Sequence, residues 1–413
     1  MNGGLLQRFQ QVRADSEKFC EPLAVEDYGL QAMPATSPPK WHLAHSSWFY
    51  ETFVLKNYLP GYQPFDPAFE VLFNSYYNGI GAQHPRPERG LLSRPSLDEV
   101  RAYRSHVTDA VTGLLLEEAH PEQARIAELV ELGTHHEQQH QELFFTDIKY
   151  SFSRNPLLPT YCETSPGVGS EIRPQGWIEH PGGEVSVGHG GDEFCFDNEM
   201  PAHRVLLHPF SLADRSICNG EYLAFMADDG YRRPELWLAD GWNELSEQGW
   251  TAPLYWMEQD GEWFEYSLHG LLPLSPATPV SHISAYEADA YARWAGARLA
   301  SEFEWEAVAA GHALSGQFVE AGLFHPQAVA GADDTQLYGC LWQWTSSAYS
   351  AYPGYHPPAG AVGEYNGKFM ANQLVLRGGS CVSSQSQLRA SYRNFFYPPD
   401  RWQFTGIRLA QWT

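Results

Sequence analysis

PEQARIAELVELGTHHEQQHQELFFTDIKYSF, residues 121–152, carries apolar residues at intervals of three and four, the spacing of an amphipathic helix. Within it stands HEQQH, His136 to His140. Residues four apart share one helix face, so the two imidazoles can share one metal ion. The same string satisfies the zinc-protease pattern HExxH, in which Glu137 would be the general base. Fold and chemistry both turn on this segment.

Similar periodicity runs through LLQRFQQVRADSEKF (5–19) and SLDEVRAYRSHVTDAVTGLLLEEA (96–119), which predicts a helical bundle of about four helices over residues 1–160. NPLLPTY and TSPGVGSEIRPQG, dense in Pro, Gly and Ser, break the pattern, and a linker is expected over 161–176. From Trp177 to residue 413 the chain is rich in Gly, Trp and Tyr, with short apolar runs and one convincing helix, SAYEADAYARWAGA (284–297). The fold class is therefore α+β: a bundle followed by an irregular, loop-heavy mixed domain.

At 413 residues the chain is long enough for two cores. Its 26 basic and 50 acidic side chains leave a formal charge of −24, which argues against a nucleic-acid partner. Six cysteines, scattered without a CxxC, indicate neither a disulfide scaffold nor a zinc ribbon. No stretch approaches the roughly 20 apolar residues of a membrane span, and none has signal-peptide character, so a cytoplasmic protein is expected.

A third metal ligand is available in WHLAHSSWFYE (41–51), where His45 stands among aromatics in another expected helix of the bundle. Three imidazoles from two helices leave part of an ion open for reaction. The extended protease motif is missing: Leu143 and Thr146 occupy the positions of its Gly and its third His. His135 and His42 point off the shared faces and read as outer or surface residues. LFNSYYNGIGAQHPRPERGLLSRPS (72–96) holds tandem Tyr76 and Tyr77, then Arg86 and Arg89 between prolines. A tyrosine near a metal can donate a proton. The arginines can clamp a carboxylate bidentately or pair with surface acids.

Taken together, WHLAHSSWFYE, FNSYYNGIGAQHPRPERGLLSRP, HHEQQHQELFFTDIK, PVSHISAYEADAYARWAGARL, GEYNGKFM, VLRGGSC and YRNFFYPPDRWQFTGIR resemble the sulfoxide synthases of ergothioneine biosynthesis. These are EgtB-like non-haem iron enzymes, and the likeness runs from about residue 20 to the C-terminus. It implies a DinB-like four-helix bundle followed by a domain like the formylglycine-generating enzyme, with a C-type-lectin-like fold. It also implies that Fe(II) and O2 join a thiol sulfur to the imidazole of hercynine, giving a sulfoxide, with His45, His136 and His140 as iron ligands.

By the same resemblance, Gln139 and Asn394 contact hercynine, and Arg86 and Arg89 grip the carboxylate of the sulfur donor. Phe395 stands where the actinobacterial branch has Trp, an aromatic face for a quaternary ammonium. Phe396 replaces an Asp that helps hold γ-glutamyl-cysteine, which favours free cysteine as donor. Tyr76 and Tyr77 match the branch whose proton donor lies in the bundle. Trp402 and Gln403 lie near the expected pocket wall. Cys381 has no second cysteine after it, so the copper thiolate pair of formylglycine-generating enzymes is not expected. Arg377, the helix around Trp294, and Trp342 and Trp344 read as scaffold and core. A selenoneine synthase taking a selenosugar, a zinc hydrolase and a non-enzymatic ligand module are the alternative readings.

Overall fold

Pro39 occupies the first turn of the helix that carries His45, where a missing N–H costs nothing, and Pro38 before it is extended. That helix is one of four long ones in the computed structural model, which describes residues 2–117, 119–167, 171–329, 331 and 335–413. They are α1 (Asn2–Cys20), α2 (Pro39–Tyr50), α3 (Leu97–Leu116) and α4 (Gln123–Ser153). A capping box starts α3: the Ser96 side chain accepts from the Glu99 amide, and the Glu99 carboxylate accepts from the Ser96 amide. Past Tyr50, α2 widens into a π-helical turn, Glu51–Leu55. The buried Glu51 carboxylate there accepts from Tyr62, Tyr103 and the Phe65 amide.

Close approach of α2 and α4 depends on one glycine. A Cβ on Gly133 would meet Tyr50 Cε1 at 2.5 Å and Phe49 Cδ1 at 3.0 Å, inside van der Waals contact. Gly133 lies one turn before His136. The missing side chain therefore lets the two histidine-bearing helices pack together.

The chain forms two compact units, Met1–Tyr161 with Pro358–Tyr365, and Cys162–Pro357 with Asn366–Thr413. The short strap Pro358–Tyr365, expected from sequence to belong to the second domain, thus packs with the bundle. Within 161–176 the described residues form no helix or strand; residues 168–170 lie outside them.

The second unit is built on several small sheets. One four-stranded sheet runs in the order Asn394–Phe396, Leu374–Arg377, Trp342–Ala348, Thr405–Gly406. Another runs Trp177–His180, Phe210–Ala213, Leu409–Trp412, Arg298–Leu299. Trp342 and Trp344 are buried, as expected, and Arg377 bridges Glu302 and Glu306 at 2.9 and 2.8 Å. All six cysteines are free, with Cys381 buried. The expectation of a single helix fails: besides Ala285–Trp294 there are Asn219–Ala227, Ala239–Gln248 and Glu302–Ala309. All are short, and the three that went unrecognised lie in a Gly- and aromatic-rich background that masks their periodicity. Among the described residues no helix is long and apolar enough to cross a membrane.

Candidate metal centre

His45 from α2 and His136 and His140 from α4 bring one ring nitrogen each within 4.8 Å of the others. His45 and His136 are almost wholly buried. The His45 Nδ1–H donates to the Phe73 carbonyl at 2.6 Å, which leaves its Nε2 bare and aimed at His136 Nε2, 3.2 Å away. Metal–nitrogen bonds of about 2.0–2.1 Å place neighbouring ligand nitrogens roughly 3.0–3.4 Å apart. The spacing fits a shared ion. Burial first, and the neighbouring imidazoles second, hold His45 and His140 far below the ordinary histidine range. Burial alone pushes His136 down to about 3. The three rings are therefore neutral and present lone pairs, the form a metal requires.

Glu137 is turned away from this cluster. Its carboxylate receives Arg13 and Arg104, each at 3.0 Å, and the Ser16 hydroxyl at 2.7 Å, all on the side of α1 and α3. Burial would raise this carboxyl, but the two guanidinium groups outweigh it and hold it below its usual range. A carboxylate spent on two buried arginines is no general base, which removes the protease reading of HEQQH. His135, read as outer or surface, is buried beside Arg8. His42 is buried too, and touches His140 ring nitrogen to ring nitrogen at 2.9 Å.

Aromatic rings wall the site. Trp41 stacks on His45 at 4.5 Å between centroids, and Trp48 stacks on it at 5.5 Å. Tyr77 packs on Trp48 at 5.4 Å and on Tyr76 at 4.7 Å. It is fully buried, its hydroxyl without a well-formed hydrogen bond, and burial holds that hydroxyl far above the ordinary phenol range. Asn74 fixes the loop by accepting from the Tyr77 amide at 3.0 Å and donating to the Tyr77 carbonyl at 3.1 Å. From the strap, the Tyr365 hydroxyl donates to Gln139 Oε1, and its ring lies 5.6 Å from His136.

The arginine pair does not form a common fork. Arg86 is exposed and donates to the Ala35 carbonyl. Arg89 is buried, with its guanidinium 3.4 Å above Trp41 and a bond to Ser37 Oγ at 2.9 Å. Its Nε has no partner, and burial pushes its pKa down to about 8. The Asp147 carboxylate offsets only part of that cost, and a guanidinium desolvated this far is suited to an incoming anion.

In the second unit, Asn394, Phe395 and Phe396 form one partly exposed edge strand. Phe395 stacks on Tyr349 at 4.0 Å, and Phe396 lies 6.5 Å from Trp402. Gln403 is buried with both polar side-chain atoms unpartnered, as is the Trp402 Nε1.

The hercynine oxygenase of Mycolicibacterium thermoresistibile is 31% identical over 408 residues, covering 91% of this chain and 88% of that protein. The chain belongs to the hercynine oxygenase family. The hercynine oxygenase of Mycobacterium tuberculosis is 30% identical over 91% of both chains. Residues 8–144 match the DinB superfamily, and 168–334 and 322–412 match the sulfatase-modifying factor enzyme 1-like domain. The formylglycine-generating enzyme of Streptomyces coelicolor is 27% identical over 59% of this chain and 92% of its own. The DinB match precedes the sulfatase-modifying-factor match, the order of bundle and mixed domain, and the chain is an oxygenase. Reasoning from sequence did not single out Trp41, Trp48, Asn74, Asp147 or Tyr365. For Asp147 a signal existed: it stands seven residues after His140, two turns along the same face.

Proposed function

We propose that the protein joins the imidazole ring carbon of hercynine to the sulfur of a thiol donor, cysteine in preference to γ-glutamyl-cysteine, giving a hercynyl sulfoxide. Dioxygen is the oxidant, and iron(II) is held by His45, His136 and His140. The C–H and S–H bonds are lost as the C–S bond forms. One oxygen atom ends on sulfur, and the other leaves as water with the two hydrogens. The observation that carries the reading is the buried, neutral three-histidine cluster with no carboxylate among its donors. Bound iron(II) supplies the redox chemistry that zinc lacks.

The chain's own residues supply the rest. Arg89, desolvated and with its Nε unpartnered, takes the donor carboxylate. The tyrosine pair holds the proton: burial keeps Tyr77 protonated across the working pH range, with Tyr76 stacked on it. Tyr365 fixes the Gln139 amide by bonding its oxygen, which orients the group toward the polar end of hercynine. The family resemblance assigns Asn394 to hercynine and Phe395 as an aromatic face for its trimethylammonium group. Phe396, where the actinobacterial branch has Asp, supports cysteine over γ-glutamyl-cysteine as donor.

Anaerobic protein loaded with iron(II), then given hercynine, cysteine and oxygen, should yield hercynyl-cysteine sulfoxide by mass spectrometry. γ-Glutamyl-cysteine should turn over more slowly. Turnover with a selenosugar alone would move the assignment to selenoneine synthesis. No oxygen uptake with any donor would overturn it. Removing the metal with a chelator should abolish oxygen uptake, and adding back iron(II) but not zinc should restore it.

A further inference from the structure

The three ligand imidazoles are held in three different ways. His45 gives its Nδ1–H to a backbone carbonyl, that of Phe73. His136 Nδ1 is buried with no hydrogen-bond partner. His140 Nδ1 meets another imidazole, His42 Nδ1, at 2.9 Å, and the far nitrogen of His42 lies 3.1 Å from Asp147 Oδ2. Asp147 and His42 are both buried, and Asp147 is also anchored by the Ser37 amide at 2.8 Å.

Proton bookkeeping along this chain allows one arrangement that leaves His140 a ligand. Asp147 Oδ2 already accepts the Ser37 amide and faces His42 Nε2 as an acceptor, so His42 Nε2–H donates to it. With that proton committed, His42 presents a bare Nδ1, which can only accept from His140 Nδ1–H. His140 is thereby fixed in the tautomer whose Nε2 carries a lone pair. Were His42 the donor to His140, the His140 proton would sit on Nε2 and block it. The arrangement needs no movement of α2 or α4, because His42 is one turn before His45 and Asp147 two turns after His140.

We propose that Asp147, acting through His42, is a positioning pair for the metal centre: it fixes the tautomer and ring orientation of His140 and makes it the most strongly donating of the three ligands. Partial negative charge passed from a carboxylate raises the basicity of a ligating imidazole more than a carbonyl does, and a ring with no partner gains nothing. The inference rests on the three-histidine centre proposed above but not on hercynine, the thiol donor or the tyrosines.

The test uses cobalt(II) as the probe on the full chain, with affinity measured against a competing chelator and ligand field read from the visible d–d bands. His42→Leu should raise the Kd about 10- to 100-fold and shift the bands, the range typical for losing the outer partner of a ligand histidine. His42→Gln, whose amide oxygen can accept from His140 Nδ1–H, should recover most of the affinity. Asp147→Asn keeps size and the bond to Ser37 but loses the charge, and should give an intermediate Kd with shifted bands even if other variants fold poorly. Val107→Ala, a core truncation in α3 away from this chain of bonds, should lower stability without moving the bands. Wild-type affinity and spectrum in folded His42→Leu and Asp147→Asn would overturn the proposal while leaving the metal centre intact. Wild-type protein that takes up no cobalt would overturn the centre and the positioning pair together.

Discussion

Glu137 and Gln139 are two residues apart on α4, and their neighbours give them opposite tasks. Glu137 faces α1 and α3 and neutralises two buried arginines; Gln139 faces the strap and is held by Tyr365. Replacing Glu137 by Gln leaves Arg13 and Arg104 with an uncompensated charge, and should destabilise the fold by about 3–5 kcal/mol in denaturant titrations. The pH dependence follows from the direction of its shift. Its folded pKa lies below the ordinary 4.5, so the stabilisation is complete above about pH 4.5 and is lost as the pH falls through the lower, folded value. The wild type should therefore lose stability in acid more steeply than Glu137→Gln, whatever metal is present. Arg89→Lys should raise KM for the thiol donor roughly tenfold or more with little change in KM for hercynine, because an ammonium group can neither stack on Trp41 nor bind bidentately. Equal effects on both KM values would take Arg89 out of the donor site. The HEQQH spacing made the pairing of His136 and His140 on one face legible in the sequence. The role of Glu137 was not, because its partners come from helices about 33 and 124 residues away.

At the scale of elements, the centre exists because α2 and α4 touch where a side chain is missing. Gly133→Ala would drive a methyl group to 2.5 Å from Tyr50, so the helices must part or the ring must leave its rotamer. Overpacking of this kind typically costs about 1–3 kcal/mol. The loss should appear both as a lower Tm of the metal-free protein and as weaker cobalt binding, since His45 and His136 ride on the separated helices. A lower Tm with unchanged affinity would show that the helices part elsewhere. The long helices were readable because three or more turns repeat the same apolar face, and α3 also announces its start with Ser96 and Glu99. The Glu302–Ala309 helix carries the same kind of box, Ser301 with Glu304, yet its eight residues offer too little periodicity to recognise.

For the whole molecule, the change in texture near residue 177 separated bundle from mixed domain, and the comparisons carry the same order of domains. What no local pattern could reveal is the strap. Pro358–Tyr365 is short, with a single 3-10 turn over Ala361–Glu364, and it reaches the bundle from far along the chain. Glu364 accepts the amides of Asn78 at 3.1 Å and Gly79 at 2.7 Å, across sequence separations of 286 and 285. Those amides directly follow Tyr76 and Tyr77, so the strap ties down the loop that presents the tyrosine pair. A Cβ on Gly79 would come within 2.9 Å of Glu364 Oε1, so the carboxylate would have to shift to admit one. Both bonds are exposed, so removing them should cost only about 1–2 kcal/mol locally, a factor of roughly 5–30 in the opening equilibrium. Glu364→Ala should accordingly speed hydrogen exchange at Asn78 and Gly79 by that factor, with cobalt affinity unchanged, because His45, His136 and His140 lie on helices the strap carboxylate does not touch. Glu364→Gln, which keeps one acceptor oxygen, should fall between the two. Exchange at the wild-type rate in Glu364→Ala would mean that Asn74 alone holds the loop, and that the strap acts on the site only through Tyr365.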